Sequence, residues 1–321
     1  MPEPKLNYLP CPDSAAGHRM AYWEWGDATA SHVIVCAHGL SRQGRDFDVL
    51  AQDLLAHAKG PLRVVCPDVV GRGASDWLAN PLGYQVPTYV ADMLALLAHL
   101  KPTVLDWVGT SMGGLIGMGV CAGLGVSGAG PSQAARVPLG GSEAHAVASA
   151  GARAVRRLVL NDVGPAIEWE AVARIATYLG RDMEFDSLQQ AADALWSISS
   201  SFGPHTSAQW LELTRHMVKP VVQGCERVRL HYDPAIAVPI AAATAESVAQ
   251  GETLLWQVYD AITAQTLLLR GAQSDLLTVA TAQQMTLRGP HARLVEFANI
   301  GHAPTLIAPD QVAVVRQFLL E

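Results

Sequence analysis

Residues Thr103 to Gly119 read TVLDWVGTSMGGLIGMG, and the fold is decided by how this stretch is read. Thr103, Val104, Leu105, Trp107 and Val108 are β-branched, aromatic or apolar, the composition of a short buried strand. Gly109-Thr110-Ser111-Met112-Gly113 follows at once, and Leu115, Ile116, Met118 and Val120 then continue as an apolar run suited to a buried helix. Small residues on both sides of Ser111 allow a sharp strand-to-helix turn that holds its hydroxyl clear of the backbone. The amide of Met112 then opens a helix, where N–H groups lack intrahelical partners and favour negative charge. This is a G-x-S-x-G turn in the strand–turn–helix context that a nucleophilic serine requires.

Upstream of this turn, Arg19–Trp25 reads as an early strand and Val33–Ala37 as a second, wholly apolar one that runs into His38-Gly39-Leu40-Ser41. A glycine directly after a buried strand lets the chain turn tightly beside whatever binds at the strand's carboxyl end, and it leaves the Leu40 amide pointing inward. His38 beside this turn reads as a structural hydrogen bonder. Asp46–Ala58 has helical spacing, Leu62–Cys66 is the next strand, and Asp68 before Gly71 and Gly73 reads as a turn-stabilising carboxylate. Pro87–Leu100 is a helix with Tyr89, Met93, Leu94, Leu97 and Leu100 on one side.

Downstream, Gly123–Gly151 is rich in Gly, Ala, Ser and Pro without apolar periodicity, and reads as a surface excursion. Arg156–Asn161 is a strand closed by Asp162-Val163-Gly164-Pro165. From Ala166 to Ala261 the pattern is helical, with breaks at Gly203-Pro204, Pro220 and Pro234. Strands return at Thr266–Leu269 and Ala292–Phe297, separated by a helix over Val279–Leu287; a loop containing Gly301-His302 leads to a last helix, Pro309–Leu320. Alternating strands and helices predict an α/β chain with a mostly parallel central sheet and helices on both faces. The helical stretch does not fit that alternation. We therefore expect a core in two parts, residues 1–165 and 262–321, with a helical lid over 166–261 inserted before the penultimate strand.

Three loops at strand ends offer polar groups in the order Ser111, Asp275, His302. A serine hydroxyl is a poor nucleophile until an imidazole takes its proton, and that imidazole needs a carboxylate to fix its tautomer. Asp162, at the end of the strand before the lid, satisfies the same chain order and is the alternative acid. Asp275 is the expected one, because it follows the later strand, and Asp162 then reads as a turn or lid-hinge residue.

Together His38-Gly39, Asp68-x-x-Gly71-x-Gly73-x-Ser75, Gly109-Thr110-Ser111-Met112-Gly113-Gly114, Gly271-x-x-Ser274-Asp275 and Gly301-His302 resemble the α/β-hydrolase superfamily. The pattern is most similar to its lid-bearing esterases, lactonases and carbon–carbon bond hydrolases. The resemblance implies Ser111 as nucleophile, His302 as base and Asp275 as acid, with the amides of Leu40 and Met112 forming an oxyanion hole. It implies hydrolysis of a carboxylic ester or lactone of a small to medium apolar substrate through an acyl-enzyme. Carbon–carbon hydrolysis of diketo acids is the alternative, although Leu40-Ser41-Arg42 lacks the glycine-rich run typical of many such enzymes. A ligand-binding protein on the same fold is a further alternative that would not need a complete triad. No cofactor and no metal is implied. Trp169, Tyr178, Trp196, Phe202, Trp210 and Met217 are candidates to line an apolar pocket under the lid.

Composition bounds the partners. Of 321 residues, 50% are hydrophobic and 16% charged, which suffices for a sizeable core, and the formal charge of −7 comes without basic runs. Clustered Lys and Arg, which nucleic acid or an anionic membrane would require, are missing, so the expected partner is a small-molecule substrate. The five cysteines, Cys11, Cys36, Cys66, Cys121 and Cys225, are scattered and without C-x-x-C spacing. They read as small hydrophobes in a reducing compartment. With no basic-then-apolar leader in MPEPKLNYLP, the expected location is cytoplasmic. A monomer and a homodimer fit the sequence equally.

Overall fold

A computed structural model describes residues 3–11, 17–128, 152 and 154–321. Eight strands hydrogen-bond into one sheet: β1 (Lys5–Cys11), β2 (His18–Gly26), β3 (His32–Ala37), β4 (Arg63–Pro67), β5 (Val104–Thr110), β6 (Arg157–Asn161), β10 (Gln265–Gly271) and β11 (Arg293–Phe297). Their spatial order is β1-β2-β4-β3-β5-β6-β10-β11. The first two strands pair antiparallel and the other six run parallel. A parallel pair needs a crossover, and α1 (Asp48–His57), α2 (Val86–Leu100), α3 (Met112–Gly128) and α9 (Val279–Leu287) supply four of them.

Alternation along the strands explains the layers. Ile34 and Cys36 of β3 face one way with Val64, Val108, Val159 and Leu267, and are covered by Leu50 and Leu54 of α1 and by Val312, Val315 and Leu319 of α10 (Pro309–Leu320). Val33 and Val35 face the other way with Leu105, Trp107, Leu158 and Leu268, under Met93 and Leu96 of α2 and Ile116 of α3. Because the inner parallel strands β3, β4, β5 and β6 are buried on both faces, they read as largely apolar runs rather than as alternating ones. Truncating one of these core leucines to alanine costs about 2–5 kcal/mol.

Two features escape the sequence pattern. Strand β1 carries Pro10 and buries little beyond Leu9 and Cys11, so it lies at the sheet edge without a strand signature. Gly123 to Gly128, expected in a surface excursion, instead continue α3; the remainder of that expected excursion, residues 129–151, lies outside the described residues.

Between β6 and β10 the chain forms α4 (Trp169–Ala176), β7 (Glu184–Phe185), α5 (Leu188–Ser199), α6 (Ser207–Met217), β8 (Val218–Pro220), β9 (Val228–Leu230), α7 (Ala237–Ala241) and α8 (Ala245–Asp260). The short strands make a separate sheet in the order β7-β9-β8, which helical spacing in the flanking residues concealed. This inserted segment lies against loops at the carboxyl ends of the core strands. Gly73 N–H donates to the His231 carbonyl at 2.9 Å, and Asp233 N–H to the Gly71 carbonyl at 2.8 Å. Gly301 N–H donates to the Ser201 carbonyl at 2.6 Å, and His205 Nε2 meets Thr305 Oγ1 at 2.9 Å. No helix among the described residues is long and apolar enough to cross a membrane.

Candidate active site

The turn between β5 and α3 is held by close backbone approach. A Cβ on Gly109 would lie 2.3 Å from the Gly113 carbonyl oxygen, and one on Gly113 would lie 2.0 Å from that of Ala37. Only glycine permits either contact. Ser111 between them has φ 53°, in the left-handed region that a non-glycine residue rarely occupies. Its N–H donates to the Asn161 carbonyl at 2.9 Å. The Asn161 side chain donates to Thr110 Oγ1 at 3.0 Å and to the Pro304 carbonyl at 2.8 Å, so one buried amide ties the serine turn to the loop carrying His302.

Ser111 Oγ lies 2.8 Å from His302 Nε2, and His302 Nδ1 lies 2.7 Å from Asp162 Oδ2. A carboxylate only accepts, so the imidazole carries its proton on Nδ1 and leaves Nε2 to accept from the serine hydroxyl. Asp162 is wholly buried, with φ 57°. Its other donors are Ser274 Oγ at 2.6 Å and the Gly271 N–H at 2.9 Å. Three donors compensate the buried charge and leave the carboxylate little freedom to move.

Asp275, the expected acid, stands elsewhere. Its carboxylate pairs with Arg174 of α4 at 2.7 Å, and both side chains are about half exposed. The acid expectation is therefore corrected in favour of the alternative: it is Asp162, at the end of β6, that reaches the imidazole. The neighbouring Ser274 does take part, as a donor to Asp162.

Leu40 and Met112, the expected oxyanion donors, lie on two segments that meet at Ser111. A Cβ on Gly39 would lie 3.7 Å from Ser111 Cβ, which brings the loop carrying Leu40 against Ser111. Met112 opens α3, so its N–H is among those without an intrahelical partner. A residue that the sequence reading passed over, Arg72, touches both. Its side chain is wholly buried, and Nε donates to the Leu40 carbonyl at 2.8 Å. Nη1 donates to the Val70 carbonyl at 2.7 Å and to Tyr89 Oη at 3.0 Å, and Nη2 lies 3.7 Å from Met112 Sδ. The guanidinium also sits over the rings of Tyr84 and Tyr89, at 5.7 and 5.0 Å. The signal available in the sequence was an arginine between the paired glycines, Gly71 and Gly73.

His38 and Asp68 are placed as scaffold. His38 Nδ1–H donates to the Gly39 carbonyl at 2.7 Å, and Nε2 accepts from the Val69 N–H at 2.9 Å; burial lowers its pKa to about 3, so the ring is neutral. Asp68 accepts from Gly44 N–H at 2.7 Å, Ala74 N–H at 2.8 Å and the Trp23 indole at 3.2 Å, and burial raises it to about 6.

Of the six residues expected under the lid, Tyr178 and Met217 border a cavity in the inserted segment. Trp196 and Phe202 each pack edge to face against Trp210, the Trp196 and Trp210 centroids 5.0 Å apart, and the Trp210 indole donates to the Ala192 carbonyl. Trp169 begins α4 and does not border the cavity. One group among the described residues has the composition of a metal site, Cys11, His18 and Asp92 at the β1–β2 edge, with ligand atoms within 4.8 Å of one another. There His18 Nε2 and Asp92 Oδ2 bond each other at 2.9 Å, and burial raises the thiol to about 12, against the thiolate that a metal would need.

Residues 34–315 match the model of the alpha/beta hydrolase family. The chain belongs to that family. Among alpha/beta hydrolases it is similar to a 3-hydroxybutyrate-oligomer hydrolase of Cupriavidus necator, 47% identical over 317 residues that cover 98% of this chain and 97% of the relative. It is also similar to a crystal structure of an alpha/beta hydrolase from Novosphingobium aromaticivorans, 33% identical with a TM-score of 0.78, covering 99% of both chains. A Rickettsia typhi protein, 26% identical with a TM-score of 0.79, covers 98% of both.

Proposed function

We propose that this alpha/beta hydrolase is a serine esterase whose substrates are short oligomeric hydroxyacyl esters. The observation that carries this reading is the unbroken hydrogen-bond chain from Ser111 Oγ through His302 to the buried Asp162. The similarity to a 3-hydroxybutyrate-oligomer hydrolase supports the substrate class.

In this mechanism His302 Nε2 takes the hydroxyl proton as Ser111 Oγ attacks the ester carbonyl carbon. Asp162 stabilises the imidazolium and keeps it in register. Charge that develops on the carbonyl oxygen is met by the amides of Leu40 and Met112, an interaction worth roughly 2.7–4 kcal/mol for each donor. His302 then gives its proton to the leaving alkoxide, and an acyl-enzyme remains on Ser111. Water, activated by the same imidazole, attacks the acyl carbon and releases the acid. The inserted segment serves as a lid, residues 166–261, over the carboxyl ends of the strands, where open α/β sheets bind ligands.

A fluorophosphonate should label the protein once, and Ser111→Ala should abolish both labelling and hydrolysis of 3-hydroxybutyrate dimer and trimer. Labelling that survives the substitution would remove Ser111 from the reaction.

A further inference from the structure

The inserted segment and the loop after Leu40 enclose a cavity of about 220 Å³. Its wall is mostly apolar, formed by Tyr178, Leu195, Ile198, Met217 and Leu230, and Ser41, next in the chain to Leu40, also lines it. Met217 is held there by Arg42, whose guanidinium contacts its sulfur while pairing with Asp46. Among the described residues the cation that lines this cavity is Arg181, itself exposed, between α4 and β7. Arg181 Nη2 donates to the Thr177 carbonyl at 2.7 Å, which points the guanidinium back along α4 and leaves most of its donors unspent. Nearby carboxylates are committed elsewhere. Asp182 pairs with Arg229 at 3.0 Å, Glu184 with Arg227 at 2.5 Å, and Asp275 with Arg174 at 2.7 Å.

We infer that this cavity is a substrate subsite in which Arg181 binds the free carboxylate end of the hydroxyacyl chain. The inference rests on the esterase reading above and adds what the enzyme selects. An apolar trough bounded by one guanidinium that pairs with no carboxylate among the described residues suits a ligand with an aliphatic body and one anionic end. A linear hydroxyacyl oligomer has that form, with weakly polar ester units and a single carboxylate at its acid terminus. A guanidinium offers such a carboxylate two parallel N–H donors. The carboxylate belongs to the leaving alcohol: when Ser111 Oγ bonds the scissile carbonyl carbon and the C–O bond breaks, the alkoxide takes the proton from His302. That fragment departs as a hydroxy acid held by Arg181, and the rest of the chain stays on Ser111 as the ester.

The test compares 3-hydroxybutyrate trimer bearing a free carboxylate with its methyl ester, for wild type, Arg181→Gln and Arg181→Lys. Wild type should favour the free acid by about tenfold in kcat/KM, equivalent to about 1.4 kcal/mol of charge-assisted binding. Arg181→Gln should remove that preference by raising KM for the free acid far more than for the methyl ester, and Arg181→Lys should restore part of it. Equal rates on the two substrates in wild type, a preference that survives in Arg181→Gln, or a parallel loss on both substrates would each overturn the subsite. Failure of the esterase reading is seen separately, as hydrolysis of neither substrate or as hydrolysis that Ser111→Ala leaves intact.

Discussion

His302 Nδ1 stands 2.7 Å from Asp162 Oδ2, at the end of β6, while Asp275, four residues past β10, spends its carboxylate on Arg174. Two aspartates satisfy the same chain order, and they do different things. Asp162 is buried with three donors, and Asp275 joins a core loop to the first helix of the inserted segment.

Asp162→Asn should lower kcat by about three to four orders of magnitude, because an amide at that position favours the wrong imidazole tautomer. Asp275→Asn breaks only a half-exposed ion pair and should change stability by at most about 1 kcal/mol, with turnover largely kept. Steady-state kinetics on folded variants, checked by circular dichroism, decides the ranking. The reverse order would return the acid to Asp275.

Arg72 fixes the carbonyl of Leu40 and packs on Met112. Arg72→Lys keeps the charge but cannot reach Leu40, Val70 and Tyr89 together with one ammonium. If the amides of Leu40 and Met112 are the oxyanion donors proposed above, kcat should fall roughly ten- to hundredfold as they lose their alignment, with KM little changed. A rise in KM alone would mean that Arg72 acts on binding instead.

Gly113→Ala should destabilise the fold, since its Cβ would lie 2.0 Å from the Ala37 oxygen, and backbone cannot retreat as a side chain can. A loss of about 3 kcal/mol or more is expected in denaturant titrations. Gly251→Ala, in open space on α8, serves as the control and should be neutral or slightly stabilising.

Acid should destabilise the protein partly through His38. Its pKa is near 3 in the fold, against the usual 6.5. Below pH 6.5 the unfolded chain therefore binds a proton that the folded one refuses, and stability falls by about 1.4 kcal/mol per pH unit until about pH 3. Asp68, raised to about 6, works in the opposite direction as pH drops from 6 towards 4, because its folded form is protonated first. His38→Gln keeps a donor and an acceptor without titrating, so its midpoint of urea unfolding should rise relative to that of wild type as the pH falls from 6.5 to 4, with the opposing Asp68 contribution left uncompensated. An unchanged pH slope would remove His38 from the acid response.

The sequence alone determined the alpha/beta hydrolase fold, its strand–helix alternation and the strand-to-helix turn at Ser111. Each of these is a local property. A buried parallel strand must be apolar throughout, a strained turn demands glycine at Gly109 and Gly113, and a lone Gly301-His302 after the last strand has few other uses. The choice between Asp162 and Asp275 was beyond it, since both end a strand and only the path of the chain in space says which carboxylate meets the imidazole. Arg72 was hidden for the same reason: its partners Leu40, Tyr89 and Met112 are separated along the chain and meet only when the loop after β3 and the first turns of α2 and α3 converge. The small β7-β9-β8 sheet depends on pairing between short segments whose own patterns are too brief to mark a strand. Tertiary structure decided these because each is a contact between distant residues, and hydrophobic spacing along one segment carries no record of what that segment will touch.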